Sequence, residues 1–259
     1  MAEAGQGGQI SDLVRDWRDA GLARGDTVLV HSSLRRTCER GFSPAEIMRS
    51  FLEAVGETGT VLFPLFNFDV CKGAPFDIRH SPSRMGAMTE AARLHPGVVR
   101  TGHPAYSFAV IGAGAGAFRG LFNDSGYGDD SPFAMLRRMA GKIAVLDLMG
   151  QTSMTFYHHV EQMRDVPYRY HKTFRTAYTD AGGITSDRAF SIFVRDIDRG
   201  VLTDVNPMDE RLWQQGLYTG CRPGEGHGLR VIAACAMFDA VSAVIDAGEA
   251  EGVLFSYAR

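Results

Sequence analysis

The segment from His158 to Glu161 contains the residue types best suited to catalysis in this chain of 259 residues. On a helix, residues three positions apart lie on one face, so His158 and Glu161 can project together, whereas His159 points about 100° away. A neutral imidazole can take up a proton near neutral pH, and a neighbouring carboxylate can orient it and stabilise the imidazolium that forms. The spacing predicts an acid–base pair, although a helix with polar surface residues would show the same spacing.

Metal sites and serine nucleophiles find little support in the sequence. A Glu-x-x-His element of a di-metal carboxylate site needs a second such element and further glutamates, which the chain does not offer. The spacing of the four cysteines fits neither a zinc site nor a disulfide framework, and no G-x-S-x-G elbow occurs. We therefore expect a site without a metal ion.

A second polar segment follows a predicted buried strand near the start of the chain. It consists of His31, Ser32, Ser33 and Leu34. Its successive backbone N–H groups and two hydroxyls could hold an anion or an extended ligand, and Arg35 and Arg36 add positive charge. A plain capped turn explains these residues equally well.

The glycine-rich segment Gly112 to Gly116 has the order G-x-G-x-G. A dinucleotide-binding loop needs G-x-G-x-x-G after the first strand, with an acidic residue about 20 positions further on. We therefore predict a strand-to-helix turn there. No G-x-x-x-x-G-K-[ST] motif occurs, so a P-loop nucleotidase is unsupported.

The elements around these residues predict a βαβ unit at the start of the chain. Thr27 to Val30 is a short apolar run typical of a buried strand, and Val61 to Phe66 is a second one. Between them, Ser43, Pro44 and Glu46 have the spacing of a capped helix start. Ligands bind at the carboxyl ends of strands in open α/β sheets, which is where His31 to Leu34 falls.

The remainder of the chain continues as alternating helices and strands. The predicted elements are a helix after Ser11, a helix over Ser83 to Leu94, a strand over Ser107 to Ile111, a helix from Ser131-Pro132 to Met139, a strand over Ile143 to Met149, a helix over Thr155 to Asp165, a hairpin of Thr173 to Tyr178 with Phe190 to Arg195, and helices near Asp209 to Leu217 and Phe238 to Ile245. We predict a single α/β domain over residues 1–259. Its expected architecture is an α/β/α arrangement with a central mixed, mostly parallel sheet and an antiparallel hairpin part.

Composition excludes several functional classes. With 27 Lys and Arg against 30 Asp and Glu, the net charge of −3 gives no reason to expect nucleic-acid binding. No run of about 18 apolar residues predicts a membrane span, and Met1 to Gly8 lacks the regions of a signal peptide. Unpaired cysteine spacing is typical of a reducing compartment, so we expect a cytoplasmic protein.

Taken together, several segments resemble the aminoglycoside 3-N-acetyltransferase family in an ordered set from about residue 10 to residue 245. The matching segments are Val30 to Arg35, Gly59 to Pro64, Ser83 to Gly86, Arg100 to Phe108, Ser131 to Leu136 with Gly141-Lys142, Thr155 to Glu161, and Val166 to Arg169. Each segment alone is only weakly specific for the family, whereas the whole set of segments in this order is specific for it. The element from Thr155 to Glu161 is the strongest of them.

The resemblance implies transfer of an acyl group, usually acetyl, from acetyl-CoA (coenzyme A) to an amine. His158 matches the general base of the family, and Glu161 matches its carboxylate. The residues implied to bind the coenzyme are His31, Ser32, Ser33, Leu34, Arg35, Met85, Gly86, Ser107 and Phe108, of which the last four would line the thioester end. The Ser107 hydroxyl is a candidate donor to the oxyanion. The family implies no metal, no membrane or nucleic-acid partner, and a monomer or homodimer.

The identity of the amine stays open at the level of sequence. Positive charge lies around and after the predicted base, at Arg137, Arg138, Arg164, Arg169, His171 and Lys172, whereas a polycationic aminoglycoside needs carboxylates. Candidate carboxylates are Asp165, Asp204, Asp209, Glu210, Glu225 and Asp239. The substrate could be an aminoglycoside or related amino sugar, or a different small amine of a biosynthetic pathway. A non-catalytic binding protein on the same fold and a metal-dependent hydrolase are the further alternatives.

Overall fold

The computed structural model describes residues 9–153 and 155–258. Its strands are β1 (Thr27–Ser32), β2 (Thr60–Pro64), β3 (Phe76–Asp77), β4 (Val99–Arg100), β5 (Phe108–Gly112), β6 (Lys142–Leu146), β7 (Arg169–Thr179), β8 (Thr185–Arg195), β9 (Val201–Thr203), β10 (Tyr218–Gly220), β11 (Leu229–Ala233) and β12 (Phe255–Tyr257). Its α-helices are α1 (Ile10–Asp19), α2 (Arg35–Glu39), α3 (Pro44–Val55), α4 (Ala87–Arg93), α5 (Pro132–Arg138), α6 (Phe156–Met163), α7 (Asn206–Gln214) and α8 (Ala234–Asp246). The predicted lack of a leader in Met1 to Gly8 lies outside the described residues.

Seven of the described strands form one mixed sheet in the order β10-β11-β6-β1-β2-β5-β4. β1 lies in the middle and pairs in parallel with β6 and β2. The other four neighbouring pairs are antiparallel, because β5 and β11 run opposite to the remaining five strands. Short connections join β4 to β5 and β10 to β11, and short connections produce antiparallel neighbours. The predicted mixed sheet is confirmed. Five of its seven strands run in the same direction, as a mostly parallel sheet requires, but four of the six neighbouring pairs are antiparallel, so the prediction is wrong for strand pairing.

Helices cover both faces of this sheet. Alternate residues of β1 point to opposite faces, with Val28 and Val30 in one hydrophobic core and Leu29 in the other. Helices α1, α3 and α4 pack on the first face, where the rings of Trp17 and Phe51 stack with centroids 4.9 Å apart. Helices α5, α6 and α8 pack on the second face. This arrangement confirms the predicted α/β/α layers.

Local sequence signals explain where several elements begin. Ser43 and Glu46 form the predicted capping box at the start of α3, with Pro44 as its first residue. Gly112 has a φ of 121° and is followed by a short 3-10 helix, so the predicted strand-to-helix turn is confirmed. The helix predicted over Ser83 to Leu94 begins only at Ala87, because Gly86 has a φ of 114°, which no helix accommodates.

The antiparallel hairpin is longer than the sequence pattern predicts. Strands β7 and β8 pair from Arg169 with Arg195 to Thr179 with Thr185, and β3 joins β7 in parallel. A separate two-stranded sheet pairs β9 with β12. No helix in the described part of the chain has the length and apolar character that a membrane span needs.

Candidate active site

The side chains of His158 and Glu161 meet on one face of α6, as their spacing predicts. His158 Nδ1 lies 2.7 Å from Glu161 Oε2. His159 points away, and its Nδ1 lies 2.8 Å from the carbonyl oxygen of Tyr127. Arg169, the first residue of β7, donates from Nε to the same Glu161 oxygen at 3.0 Å. The carboxylate is therefore buried between a histidine and an arginine.

Hydrogen bonding decides which nitrogen of neutral His158 is basic. An ionised carboxylate only accepts hydrogen bonds, so Nδ1 carries the ring proton and donates it to Glu161. Arg169 Nη2 also lies 3.0 Å from Nδ1, and because a guanidinium only donates, this contact is not a hydrogen bond while Nδ1 carries the proton. Nε2 keeps its lone pair and has no hydrogen-bond partner among the described residues. This arrangement orients a basic nitrogen away from Glu161.

Burial and the neighbouring arginine keep His158 neutral. Burial lowers the pKa of His158 below its ordinary value and Arg169 lowers it further, against the opposing effect of Glu161. Burial alone would raise the pKa of Glu161, but Arg169 and the hydrogen bond from His158 outweigh it, and the net pKa is lowered. The His158 side chain is 21% exposed while that of Glu161 is 1% exposed. An imidazole that is neutral at pH 7 is thus within reach of a substrate.

His158 lies where two cavities meet. The first, which we name the His31 cavity, has a volume of about 200 Å³ and is lined by His31, Phe66, Met85, Gln151 and Ser153 among others. The second, which we name the hairpin cavity, has a volume of about 360 Å³ and is lined mainly by residues of β7 and β8. Three residues line both cavities: Tyr106, His158 and Thr203. Two molecules can therefore approach the same imidazole from different sides.

The residues implied to bind the coenzyme are distributed unevenly around this junction. His31 and Met85 line the His31 cavity. Gly86 precedes α4 directly after Met85, with open space around its Cα. Ser32 ends β1, the Ser33 N–H donates to the carbonyl of Leu146, Leu34 is partly buried, and Arg35 begins α2. A neighbouring cavity of about 490 Å³ is lined by Arg36 of α2, Arg40 and His227.

Ser107 and Phe108 do not line either cavity at His158, because both are fully buried. The Ser107 hydroxyl accepts hydrogen bonds from Arg100 at 3.2 and 3.3 Å and lies 3.5 Å from the carbonyl of Leu65. A hydroxyl held in this way has no access to a reacting carbonyl. The role of Ser107 as an oxyanion donor stays a prediction that this geometry does not favour, and neither side chain lines the two cavities at His158.

A buried network of charged and hydroxyl side chains contacts the start of α6. Asp209 of α7 accepts hydrogen bonds from Tyr157 at 2.5 Å and Tyr218 at 2.8 Å, and Arg230 lies 3.3 Å from its other oxygen. Burial raises the pKa of Asp209, against the stabilising effect of Arg230. Tyr157 directly precedes His158, so the network fixes the start of the helix that carries His158. Burial, with Arg230 nearby, also lowers the pKa of His31 to about 3.

Sequence reasoning missed three residues at the site. Gln151 links two segments, since its Nε2 donates to the carbonyl of Thr203 and its Oε1 accepts from the N–H of Val205. Tyr127 packs its ring against His158 with centroids 5.3 Å apart, and Tyr106 lies against Tyr127 at 4.7 Å. No local spacing marks these residues, because the contacts join segments that are distant in sequence.

The charged residues noted in the sequence differ in their ion-pair partners and in whether they line a cavity. Arg138, Arg164 and Arg169 are ion-paired with Asp129, Asp246 and Glu161, whereas Lys172 lines the hairpin cavity. The six candidate carboxylates do not gather at His158. In the part of the chain that the structure describes, no Asp or Glu lines either of its two cavities.

Two further features bear on the type of site. Within residues 9–153 and 155–258, no three His, Cys, Asp or Glu side chains converge in a way that could hold a metal ion. A larger cavity of about 1040 Å³ lies beside α1 and α3, but it shares no lining residue with the two cavities at His158. The chemistry of the residues, rather than cavity size, points to the junction at His158.

Comparison with known proteins agrees with the resemblance found in the sequence. Residues 29–246 match the family described as aminoglycoside 3-N-acetyltransferase. The chain is 30% identical over 175 residues to aminoglycoside N(3)-acetyltransferase VII of Streptomyces paromomycinus, covering 60% of each protein. It is 28% identical over 214 residues to aminoglycoside N(3)-acetyltransferase VIII of Streptomyces fradiae, covering 73% of this chain and 72% of that one. The match to the first relative thus spans about three fifths of its length.

Solved structures share the fold over nearly the whole chain. A room-temperature neutron/X-ray structure of sisomicin-bound AAC-VIa is 25% identical with a TM-score of 0.76, covering 93% of this chain and 98% of that one. The binary complex of AAC-IIIb with CoASH is 23% identical with a TM-score of 0.79, covering 93% of this chain and 97% of that one, and shows the fold alone. With the family match extending over residues 29–246, the chain belongs to the aminoglycoside 3-N-acetyltransferase family.

Proposed function

We propose that this protein is an acetyl-CoA-dependent N-acyltransferase that moves an acetyl group to an amine of an aminoglycoside or a related amino sugar. The observation that carries the proposal is the state of His158, whose Nδ1 is bonded to Glu161 while Nε2 has no partner among the described residues and the residue lines two cavities. Relatives in the family are named as acetyltransferases, and solved members are described with CoASH and with sisomicin.

His158 is the general base in the proposed reaction. Nε2 takes a proton from the amine as the amine nitrogen bonds to the thioester carbonyl carbon, and Glu161 stabilises the imidazolium that forms. The carbon–sulfur bond then breaks, and the thiolate leaves. Because a simple thiol has a pKa near 8.5, the leaving group needs little acid assistance, and the imidazolium can return its proton to the thiolate. Atoms and charge balance, and no metal ion takes part.

The two cavities suggest separate places for the two substrates. The His31 cavity contains His31 and Met85, which the family resemblance implies for the coenzyme, and it lies at the carboxyl end of β1. We therefore assign the donor to the His31 cavity and the acceptor to the hairpin cavity.

The test replaces the proposed base. His158→Ala is expected to lower turnover at least 100-fold, because general base catalysis contributes about 100- to 10,000-fold, while binding of acetyl-CoA persists. Turnover is measured as thiol release from acetyl-CoA with sisomicin, gentamicin and glucosamine as acceptors. His171→Gln is the matched control, since His171 is an exposed histidine of β7 outside both cavities.

Three outcomes would contradict the proposal. Full turnover in folded His158→Ala would exclude the assigned base. Absence of thiol release with every amine, with binding retained, would favour a non-catalytic binding protein. Loss of activity on treatment with a chelator would favour metal-dependent chemistry.

A further inference from the structure

The hairpin cavity is the part of the site whose charge disagrees with a polycationic acceptor. Its lining includes three cations, Arg169, Lys172 and Arg195, together with His158. Among the described residues no carboxylate lines it. We propose that this cavity binds an acceptor amine that carries an anionic group, phosphate or carboxylate, and that Lys172 and Arg195 hold that group. The inference rests on the proposed acetyl transfer and specifies the substrate class of the same site.

Only two of the three cations are free to bind a ligand. Arg169 is 5% exposed at its side chain and is neutralised by Glu161, to which its Nε donates at 3.0 Å. Lys172 and Arg195 form no ion pair with any residue in the described ranges. Two other arginines of the same hairpin do have carboxylate partners: Arg175 pairs with Asp187, and Arg188 with Asp124. Among the Lys and Arg residues of the hairpin, the two without an ion-pair partner in the described ranges therefore both line the cavity.

The strand register places Arg195 beside an arginine that is already compensated. Arg195 lies directly opposite Arg169 in the β7–β8 ladder, and Glu161 neutralises Arg169. The charge of Arg195 is therefore the one in this opposed pair without an ion-pair partner among the described residues. A bound anion would compensate Arg195 as Glu161 compensates Arg169.

Nearby carboxylates do not cancel these charges. Asp196 accepts a hydrogen bond from the N–H of Arg199, and Asp204 accepts one from the N–H of Asn206. Both are used by local turns, and Asp198 is exposed; none of the three lines the cavity. The field of Arg195 reaches the catalytic imidazole, since it contributes to lowering the pKa of His158. A polycationic molecule with its amine at His158 would be repelled by the same field.

The other lining residues are suited to a compact ligand with an apolar or sugar face. Tyr106, Tyr127, Tyr170 and Phe174 contribute aromatic surface, and Tyr170 is 43% exposed. A volume of about 360 Å³ is at the small end of ligand sites. An amino sugar with one phosphate or carboxylate has the required combination of ring face, amine and anion.

The geometry argues against the phosphates of coenzyme A as the anion held by these cations. Lys172 and Arg195 line the same small cavity as His158, where the thioester must react. The pantetheine arm separates thioester and pyrophosphate by roughly three to four residue lengths of about 3.3–3.6 Å each. The phosphates therefore have to lie well outside this cavity.

The test compares acceptors that differ only in charge. Thiol release from acetyl-CoA is measured with glucosamine, glucosamine 6-phosphate, glucosaminuronic acid and sisomicin. We expect kcat/KM for the phosphate or uronic acid form to exceed that for glucosamine by about 10- to 100-fold, as expected for one or two hydrogen bonds to a charged group. Sisomicin is expected to be the poorest acceptor. The better of the two anionic acceptors identifies the anion.

Charge-reversal variants link this preference to the two residues. Lys172→Glu and Arg195→Glu are expected to remove the preference and to raise KM for the anionic acceptor, with KM for acetyl-CoA unchanged. Arg175→Glu is the matched control, because Arg175 lies on the same hairpin outside the cavity. Circular dichroism of each variant establishes folding, and Lys172→Met and Arg195→Met replace any variant that fails to fold.

The outcomes separate this inference from the proposed reaction. Acetylation of sisomicin in preference to the anionic amines would overturn the inference and leave the acetyl transfer intact. A rise in KM for acetyl-CoA in the Lys172 and Arg195 variants would also overturn it, since the cations would then hold the donor. If no acceptor releases thiol, calorimetric binding decides: tighter binding of glucosamine 6-phosphate than of glucosamine supports the inference, and equal binding overturns it.

Discussion

At the scale of residues, one buried carboxylate organises the site. Glu161 accepts from His158 and from Arg169, so the histidine is held in one tautomer, while burial and Arg169 keep it neutral against the effect of Glu161. Burial is costly for an ionised carboxylate unless partners compensate it, and here two partners do. Ser107 shows the opposite case: a polar residue in a segment typical of the family is fully buried, and its hydroxyl is bonded to Arg100.

The first prediction concerns Ser107. Ser107→Ala is expected to change kcat less than about threefold, whereas loss of an oxyanion donor costs about 100- to 1,000-fold. Stability should fall by about 1–3 kcal/mol, because Arg100 loses an acceptor in a partly buried position. Steady-state kinetics and urea unfolding check the two effects. A 100-fold loss of kcat in a folded variant would restore Ser107 to the chemistry.

At the scale of elements, α6 is positioned from both ends. Its C-terminal turn reverses at Asp165, which has a φ of 46°, and returns the chain so that Arg169 reaches Glu161. Its N-terminal end rests on Asp209, Tyr157 and Arg230. Gly150, just before the helix, lies so close to the Asp209 carboxylate that no side chain fits there. The glycine is required by a close approach rather than by a positive φ.

The second prediction therefore concerns Gly150. Gly150→Ala is expected to destabilise the protein by about 1–3 kcal/mol, because a Cβ would displace the Asp209 carboxylate or the segment before α6. Turnover should fall as His158 moves. Gly116→Ala is the control, since a Cβ there meets nothing within 4 Å. Equal urea midpoints for the two variants would contradict the account.

At the scale of the whole molecule, the two faces of the sheet serve different purposes. One face is an apolar core around Trp17 and Phe51, and the other carries α6 and the charged network. Three buried histidines lie outside the His158–Glu161 pair: His31, His103 and His159. Burial lowers their pKa values to about 3, 4 and 4. All three are neutral in the folded protein at pH 7.

The third prediction follows from these histidines. Between about pH 6.5 and 4 the unfolded chain binds protons that the folded protein does not, so stability falls as pH falls through this range. The slope is up to about 1.4 kcal/mol per pH unit for each histidine. Asp209, with its raised pKa, acts in the opposite direction but is a single group. Urea unfolding at several pH values measures the slope, and constant stability over this range would contradict the account.

Local rules in the sequence determined much of the fold and the pairing of His158 with Glu161. The capping box at Ser43, the turn at Gly112 and the i, i+3 spacing of His158 and Glu161 depend on neighbours within a few positions, and each is present in the structure. Local rules also excluded a dinucleotide loop. Element boundaries were less exact, as with α4, because the backbone at Gly86 rather than an apolar pattern ends the preceding loop.

Only the tertiary structure decided what surrounds the pair. Arg169, Tyr127 and Gln151 reach the site through contacts between distant segments, which no spacing in the chain encodes. Burial decided that Ser107 is structural and that Asp209 belongs to a network rather than to a substrate pocket. The charge of a cavity depends on which side chains face it and which are paired elsewhere. That is why a chain with a net charge of −3 can present two cations that have no ion-pair partner among the described residues, Lys172 and Arg195, in a cavity that His158 also lines.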